Sequence, residues 1–400
     1  MKAERTVALA DWMWVGHHPM YFKFFTRALL ELGCTVVAFC EAPQELLSAV
    51  DDLASEMRSR LTIDRIEWIY APKLCPGRFR HRLSSLLSFR KLANRIRAWE
   101  SGHHKMVDLV FFASIHEWHY QWFHEAQWFF PNSFSGLYLH SGDFRRALFD
   151  APNAGLPAYA QRLLRLPRLR SIAILDDTIV GPMAERYGRL TVAFPDLTDS
   201  ALDENSAIAA ELKRFASGAP VVGILGYLRY SKGATTLARV ALDPANRDLC
   251  FAFVGEVEWR SFDPKSRDLI SKLRDGCPNA YTHFDRIQSE ETFNSCVNAC
   301  EVIFASYLDF ADSSGLITKA AVFRKPIIVS DGFLMAERVK KHQLGEVVPE
   351  DNTEAVTRAI RKLTQRDPGD DLPARNWSAY LEEHSYERLK TSFAKILVSI

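Results

Sequence analysis

Short, continuous apolar runs separated by amphipathic segments limit what this chain can fold into more than any other feature. Val7–Ala10 is such a run, followed by the loop Asp11–His18. Pro19 suits the first turn of a helix, where its missing N–H costs nothing. Beyond it Tyr21, Phe24, Phe25, Ala28, Leu29 and Leu32 recur at the helical period, with Lys23, Arg27 and Glu31 opposite. Gly33 is placed to end that helix, and Thr35–Cys40 is the next strand. Strands that are apolar without alternation are buried on both faces, which implies a parallel sheet covered by helices.

The same pattern continues. Leu109–Ala113, Leu137–Leu139 and Ile172–Leu175 read as strands, and residues 200–220 as a linker with a lead-in helix. A second series then begins with the strand Val221–Leu225 and the helix Gly233–Leu242. Phe251–Val254, Val302–Ala305 and Pro326–Ser330 are its further strands, and Glu290–Ala299, Ser314–Phe323 and Glu354–Leu363 its helices. Four hundred residues suit two domains. The expectation is α/β, with doubly wound domains at 1–200 and 201–380. A helical tail from Tyr380 would follow, its last residues, 381–400, packing back on the first domain.

Composition narrows the function classes. A formal net charge of +1 excludes whole-molecule attraction to nucleic acid, and no tract belongs to a nucleic-acid reading motif. The seven cysteines have no CxxC pair, and Cys296 and Cys300, one helical turn apart, read as small buried residues. A reducing cytoplasm fits them. The N-terminal MKAERTVALADW reads as a first strand, not as a signal peptide, and no apolar run reaches the length of a membrane span.

Two strand–turn–helix units carry candidate chemistry. Gly226-Tyr-Leu-Arg-Tyr-Ser-Lys-Gly233 follows a buried strand; its glycines permit close backbone approach, and Arg229 and Lys232 supply charge for a diphosphate. Asp309-Phe-Ala-Asp-Ser-Ser-Gly-Leu-Ile-Thr-Lys319 places Ser313 or Ser314 at a helix N-cap, with Gly315 beside it. Both units follow strands of one sheet, which puts them at one edge. A surface loop and a plain N-cap are the bland alternatives.

In order and spacing these segments resemble the retaining family-4 glycosyltransferases. Val221-Val-Gly-Ile-Leu-Gly-Tyr-Leu-Arg-Tyr-Ser-Lys-Gly233 is similar to their G-R-L…K-G turn, and Phe253-Val-Gly-Glu256 to their hhGxG strand end. Ser313-Ser-Gly…Lys-Ala-Ala…Arg-Lys-Pro-Ile-Ile-Val-Ser-Asp331 is similar to their donor segment, and Gly345-Glu-Val-Val-Pro349 to its close. Gly16-His-His-Pro19, Leu137-Tyr-Leu-His140 and Phe194-Pro-Asp196 extend the likeness into the first half. The pattern's arginine falls on Tyr227. Of its paired glutamates, the second aligns with Lys319 and the first falls near Ala311 and Asp312.

The resemblance implies a GT-B fold, two Rossmann-like domains facing across a cleft. It also implies transfer of a sugar from a nucleotide diphosphate sugar with retention, without a metal or other cofactor. The acceptor would be a glycan, a lipid-linked molecule or a small molecule. His140, Lys232 and Arg229 become the catalytic candidates. Gly16, Gly226, Tyr227, Glu256, Asp312, Ser313, Ser314, Gly315 and Lys319 become the donor-binding set, with Lys319 reaching a phosphate in place of the glutamate. His17, His18, His116 and His119 are acceptor-side candidates. The alternative is a GT-B scaffold without catalysis that binds or assembles; the missing glutamates favour it, and Lys232, the Ser-Ser-Gly turn and His140 oppose it.

One tract stands apart. Ala71–Trp99 holds eight Lys or Arg residues (Lys73, Arg78, Arg80, Arg82, Arg90, Lys91, Arg95, Arg97) and no acid, with Phe79, Phe89 and Trp99 among them. Residues 73–99 are thus a candidate for peripheral contact with the inner face of an anionic membrane, against the plain reading of a solvated helix face.

Overall fold

The computed structural model describes residues 5–73, 75, 77–115, 127–150, 155–364 and 376–400. The chain forms two compact units, Met1–Pro195 with His384–Ile400, and Asp196–Glu383.

In the first unit the strands are β1 (Thr6–Ala10), β2 (Thr35–Cys40), β3 (Leu61–Arg65), β4 (Leu109–Ile115), β5 (Phe134–Tyr138), β6 (Leu169–Ile174) and β7 (Leu190–Ala193). They lie in the order β3-β2-β1-β4-β5-β6-β7, all parallel. β1, β2, β4 and β5 are buried throughout, which is why they read as unbroken apolar runs. Neighbours on a strand point to opposite faces, and β4 shows it. Phe111 packs with Phe25, Phe194 and Phe393 on one side, while Phe112 packs with Trp12, Phe89 and Phe130 on the other.

The second unit has β8 (Val221–Leu225), β9 (Cys250–Val254), β10 (Ala280–His283), β11 (Val302–Ala305), β12 (Ile327–Ser330) and β13 (Gly345–Val348), in the parallel order β10-β9-β8-β11-β12-β13. Cys296 and Cys300 lie in its core, and the Cys300 Sγ occupies the space a side chain on Gly223 would need. Burial pushes the Cys250 and Cys296 thiols up to about 12.

Four strands escape the sequence reading, β3, β7, β10 and β13, and they are the outermost strands of the two sheets; β13 is fully buried only at Val348. β3 is half-exposed and carries Asp64 and Arg65; β7 starts on an exposed leucine; only Ala280 of β10 is buried. Edge strands need no apolar run, so none is there to read. The lead-in helix expected within residues 200–220 is present. Ser206 caps the helix Ala207–Ala216, which places Ala209, Leu212 and Ala216 in the core of the second unit. The expected single tail helix is two helices, Trp377–Glu383 and Tyr386–Val398, because Ser385 caps the second by accepting from the Arg388 N–H at 3.3 Å. The first of these belongs to the second unit; the other packs on the helix His18–Glu31 of the first through Phe393 and Phe25.

At the end of the second unit, Glu383 accepts from Lys341 at 2.7 Å and meets His342 Nε2 at 3.1 Å. Burial holds the His342 imidazole below its ordinary value, although Glu383 pulls the other way. An unfolded imidazole therefore binds a proton at a pH where the folded one does not. Stability from this site is complete above about pH 6.5 and falls as the pH drops below it. Urea titrations of the second-unit transition should show that loss, and His342→Gln should flatten it; an unchanged slope refutes the assignment. Phe393→Ala should destabilise the first unit by about 3–5 kcal/mol, read as a lower urea midpoint of its transition.

Candidate functional site

In each sheet the chain starts at a central strand, winds to one side, then returns to wind to the other. The reversal falls between β1 and β4 in the first sheet and between β8 and β11 in the second. Crevices outside the strand C-termini at such points are where open α/β sheets bind ligands.

In the second unit the turns leaving β8, β9 and β11 are joined there. The Leu308 N–H donates to the Ser231 carbonyl at 2.8 Å, and a side chain on Gly233 (φ +73°) would fall on the Ser306 carbonyl oxygen. A side chain on Gly255 (φ +133°) would fall on the Gly226 carbonyl. Beyond these glycines the Leu228 N–H donates to the Glu256 carbonyl and the Glu258 N–H to the Leu228 carbonyl, both at 2.8 Å. The two expected turns therefore meet, with Gly226 and Glu256 on adjoining strands' exits.

Lys232 lies where they meet. Its Nζ stands 5.0 Å from the centroid of the buried Tyr307 ring, a cation–π contact, and no carboxylate pairs with it among the described residues. The Tyr307 hydroxyl is 3.4 Å from Ser314 Oγ, and Ser314 caps the helix Gly315–Val322 by accepting from the Leu316 N–H. The N–H groups that open this helix and its dipole favour an anion. Asp312 is half-exposed in the same turn, and Tyr227, with Tyr230 and Trp259, is an exposed aromatic on the β8 and β9 exits.

Three expectations change. Lys319 does not reach out to a phosphate: it is buried, donates to Glu290 and to Asn294 at 2.6 Å, and lies over the Phe293 ring at 5.5 Å. Arg229 is engaged as well, ion-paired with Glu258 at 3.2 Å with its guanidinium 4.8 Å from the Tyr227 ring centroid. Ser313 Oγ donates to the buried Asp196 carboxylate at 2.6 Å and accepts from Arg338, itself 3.7 Å from Asp196. The Thr318 hydroxyl donates to the Asp196 carbonyl at 2.9 Å. Ser313 thus anchors the turn from inside, and only Ser314 stands at the helix mouth. Glu258 and Glu290 were missed by the sequence reading, and Asp196 was read only within the Phe194-Pro-Asp196 likeness, without this role. Their partners are far away in the chain, and no local signal shows the pairings.

In the first unit, His18 Nδ1 lies 2.8 Å from Asp11 Oδ2, both side chains buried, and Asp11 also accepts from the Met13 N–H at 2.9 Å. The exposed His17 ring stacks on His18 at 4.9 Å, and Gly16 (φ +61°) forms the bend before them. Asp11 also escaped the sequence reading, though a carboxylate just after β1 and ahead of two histidines is a signal. His140 is half-exposed and opens the short helix Ser141–Arg145. Behind it Asp143 accepts from the Tyr138 and Tyr159 hydroxyls at 2.9 and 2.6 Å, and Arg145 donates to the fully buried Asp176 at 3.0 Å. His116 and His119 lie outside the described residues.

No protein-family model matches this sequence, and no curated protein matches it. Solved structures do resemble it in fold. A glycosyltransferase from Rickettsia africae is 14% identical over 98% of each chain, with a TM-score of 0.61. HepE of Anabaena, in complex with UDP and glucose, is 11% identical over 99% of this chain and 100% of its own, with a TM-score of 0.65. Sucrose-phosphate synthase from Thermosynechococcus elongatus is 15% identical over 99% and 97%, with a TM-score of 0.59. With the two doubly wound parallel sheets, these likenesses define the fold as GT-B, two Rossmann-like units in one chain.

Asp196→Ala would leave Arg338 buried without its carboxylate, and should cost the second unit about 3–5 kcal/mol. Ser313→Ala should cost about 1 kcal/mol. Denaturant titration measures both. A neutral Asp196→Ala would refute the anchoring role.

Proposed function

We propose that this protein transfers a glycosyl group from a nucleoside diphosphate sugar to an acceptor hydroxyl, with retention of configuration and without a metal. The observation that carries the reading is Lys232. It is a cation at the reversal of the second sheet, balanced by an aromatic face instead of a carboxylate, beside the Ser314 helix mouth. As the bond between the sugar carbon and the diphosphate oxygen breaks, negative charge grows on the leaving group. A positioned ammonium and helix-opening N–H groups stabilise that charge more than the ground state. Solved structures of the same fold include one holding UDP-glucose, which supports a nucleotide-sugar donor. On the first unit we assign His140 to the transferred sugar and His17 and His18 to the acceptor side.

A second reading, a GT-B scaffold without catalysis that binds or assembles, is favoured by Lys319, which stands buried and paired where the resembled family has a glutamate.

A thermal-shift screen with UDP, GDP, ADP, CMP and their sugar conjugates separates the outcomes. A nucleotide at 100 times its dissociation constant adds about 2.7 kcal/mol of stability, and one of the set should do so. Lys232→Ala should abolish that shift and lower turnover about 10²-fold or more. A shift without sugar transfer supports the second reading, and no shift with any nucleotide overturns sugar transfer and leaves the non-catalytic scaffold.

A further inference from the structure

The basic tract is absorbed by neither reading, and the structure divides it. It lies mostly on the helix Gly77–His103. The C-terminal half of this helix buries Leu92, Ala93, Ile96 and Trp99 in the first unit's core, with Arg95 paired to Asp64 at 3.0 Å. Around its N-terminal half large aromatic side chains stand in solvent instead: Tyr70 is 80% exposed, Phe79 55%, Trp128 79% and Phe129 42%.

These aromatics sit on fixed backbone. The N–H groups of Ile69 and Ala71, on either side of Tyr70, donate to Ser88 and Ser84 Oγ of the helix at 2.8 Å each. Arg168 donates to the carbonyls of Gln127 and Phe130 at 3.0 and 2.8 Å, which pins the turn that presents Trp128 and Phe129. Phe130 anchors that turn in the core against Phe89 and Phe112. Exposed Arg90 joins the two parts, its guanidinium 5.9 Å from the Phe129 ring centroid. An apolar exposure is thus built in on fixed backbone, with Arg90 against the Phe129 ring and Lys73 and Arg80 close in the chain to Tyr70 and Phe79.

We propose that this patch is the seat of an anionic phospholipid bilayer, with Trp128, Phe129, Tyr70 and Phe79 entering the headgroup region and Arg80, Arg90 and Lys73 meeting lipid phosphates. Charge decides the occupant. From Trp68 to Trp99 no acidic residue interrupts the arginines and lysines, and Gln127–Phe134 adds none. Aromatic rings with an amphipathic edge settle at the membrane interface, and each nearby basic residue adds attraction to an anionic surface. No described helix is long and apolar enough to cross a membrane, so the contact is peripheral.

The test uses the full chain without nucleotide, so its outcome is independent of the sugar-transfer reading. Flotation with phosphatidylcholine vesicles, with and without phosphatidylglycerol, should show binding only to the anionic vesicles, weakened by salt. Arg80→Glu with Arg90→Glu, and separately Trp128→Ser with Phe129→Ser, should each lower partitioning about tenfold or more. Lys272→Glu with Arg274→Glu, on the second unit, should leave it unchanged. Arg90→Glu and Trp128→Ser alone, both at exposed positions, keep the test readable if a double variant misfolds. The proposal falls if the wild type ignores anionic vesicles, if the patch variants bind like wild type, or if the control loses as much as they do. It also falls if the patch variants instead dissolve a self-associated form of a protein that binds no vesicle, which would make the patch a protein interface.

Discussion

The close backbone approach at Gly233 governs the candidate site. Its Cα lies against the Ser306 carbonyl with no room for a side chain, and its φ of +73° is one that glycine adopts without strain. That approach brings the β8 exit onto the β11 exit, and the Ser231–Leu308 hydrogen bond fixes it. Lys232, one residue earlier, is thereby held over Tyr307, whose hydroxyl faces the Ser314 cap. A phosphate cradle needs N–H groups and a cation at one place, and here one glycine contact sets both.

Charge compensation then distinguishes the cations. Arg229 has Glu258, Arg338 has Asp196, and Lys319 has Glu290. Each carboxylate takes up the positive charge beside it, and the Arg338–Asp196 pair lies out of solvent, where breaking one partner is costly. Lys232 is balanced differently. A ring quadrupole attracts an ammonium but does not neutralise it, so its charge remains available to an arriving anion.

What the sequence reveals follows from the range of the forces. Central parallel strands are buried on both faces, so their composition alone marks them, and β1, β2, β8 and β11 are legible to within a residue or so. β3, β7, β10 and β13 are not, because an edge strand is held by backbone pairing with its neighbour and needs no apolar signature. The turns after β8 and β11 are legible because glycine and serine at strand exits have local causes. The division of labour within the second turn is not. Ser313 and Ser314 are adjacent and chemically identical, yet one faces Asp196, more than a hundred residues earlier, while the other caps its own helix. Only tertiary packing separates them. The exposed aromatic turn at Trp128 was likewise invisible, since nothing in a sequence says which of several aromatics the core will leave out.

Lys319 shows how far a substitution can mislead when read alone. A lysine cannot accept a hydrogen bond, and on sequence it replaces an acceptor by a donor. In the fold the ammonium turns inward, its side chain 10% exposed, and holds Glu290, whose side chain is 41% exposed. What the cluster shows to solvent is the carboxylate. The buried lysine also rests over Phe293, the side chain nearest to the open side of Gly226, so the pair braces the wall of the β8 turn. A neutral pair with an outward acceptor is a different electrostatic object from an unpaired lysine. The loss of one glutamate from a motif therefore does not mean the loss of a carboxylate from the surface that the motif builds.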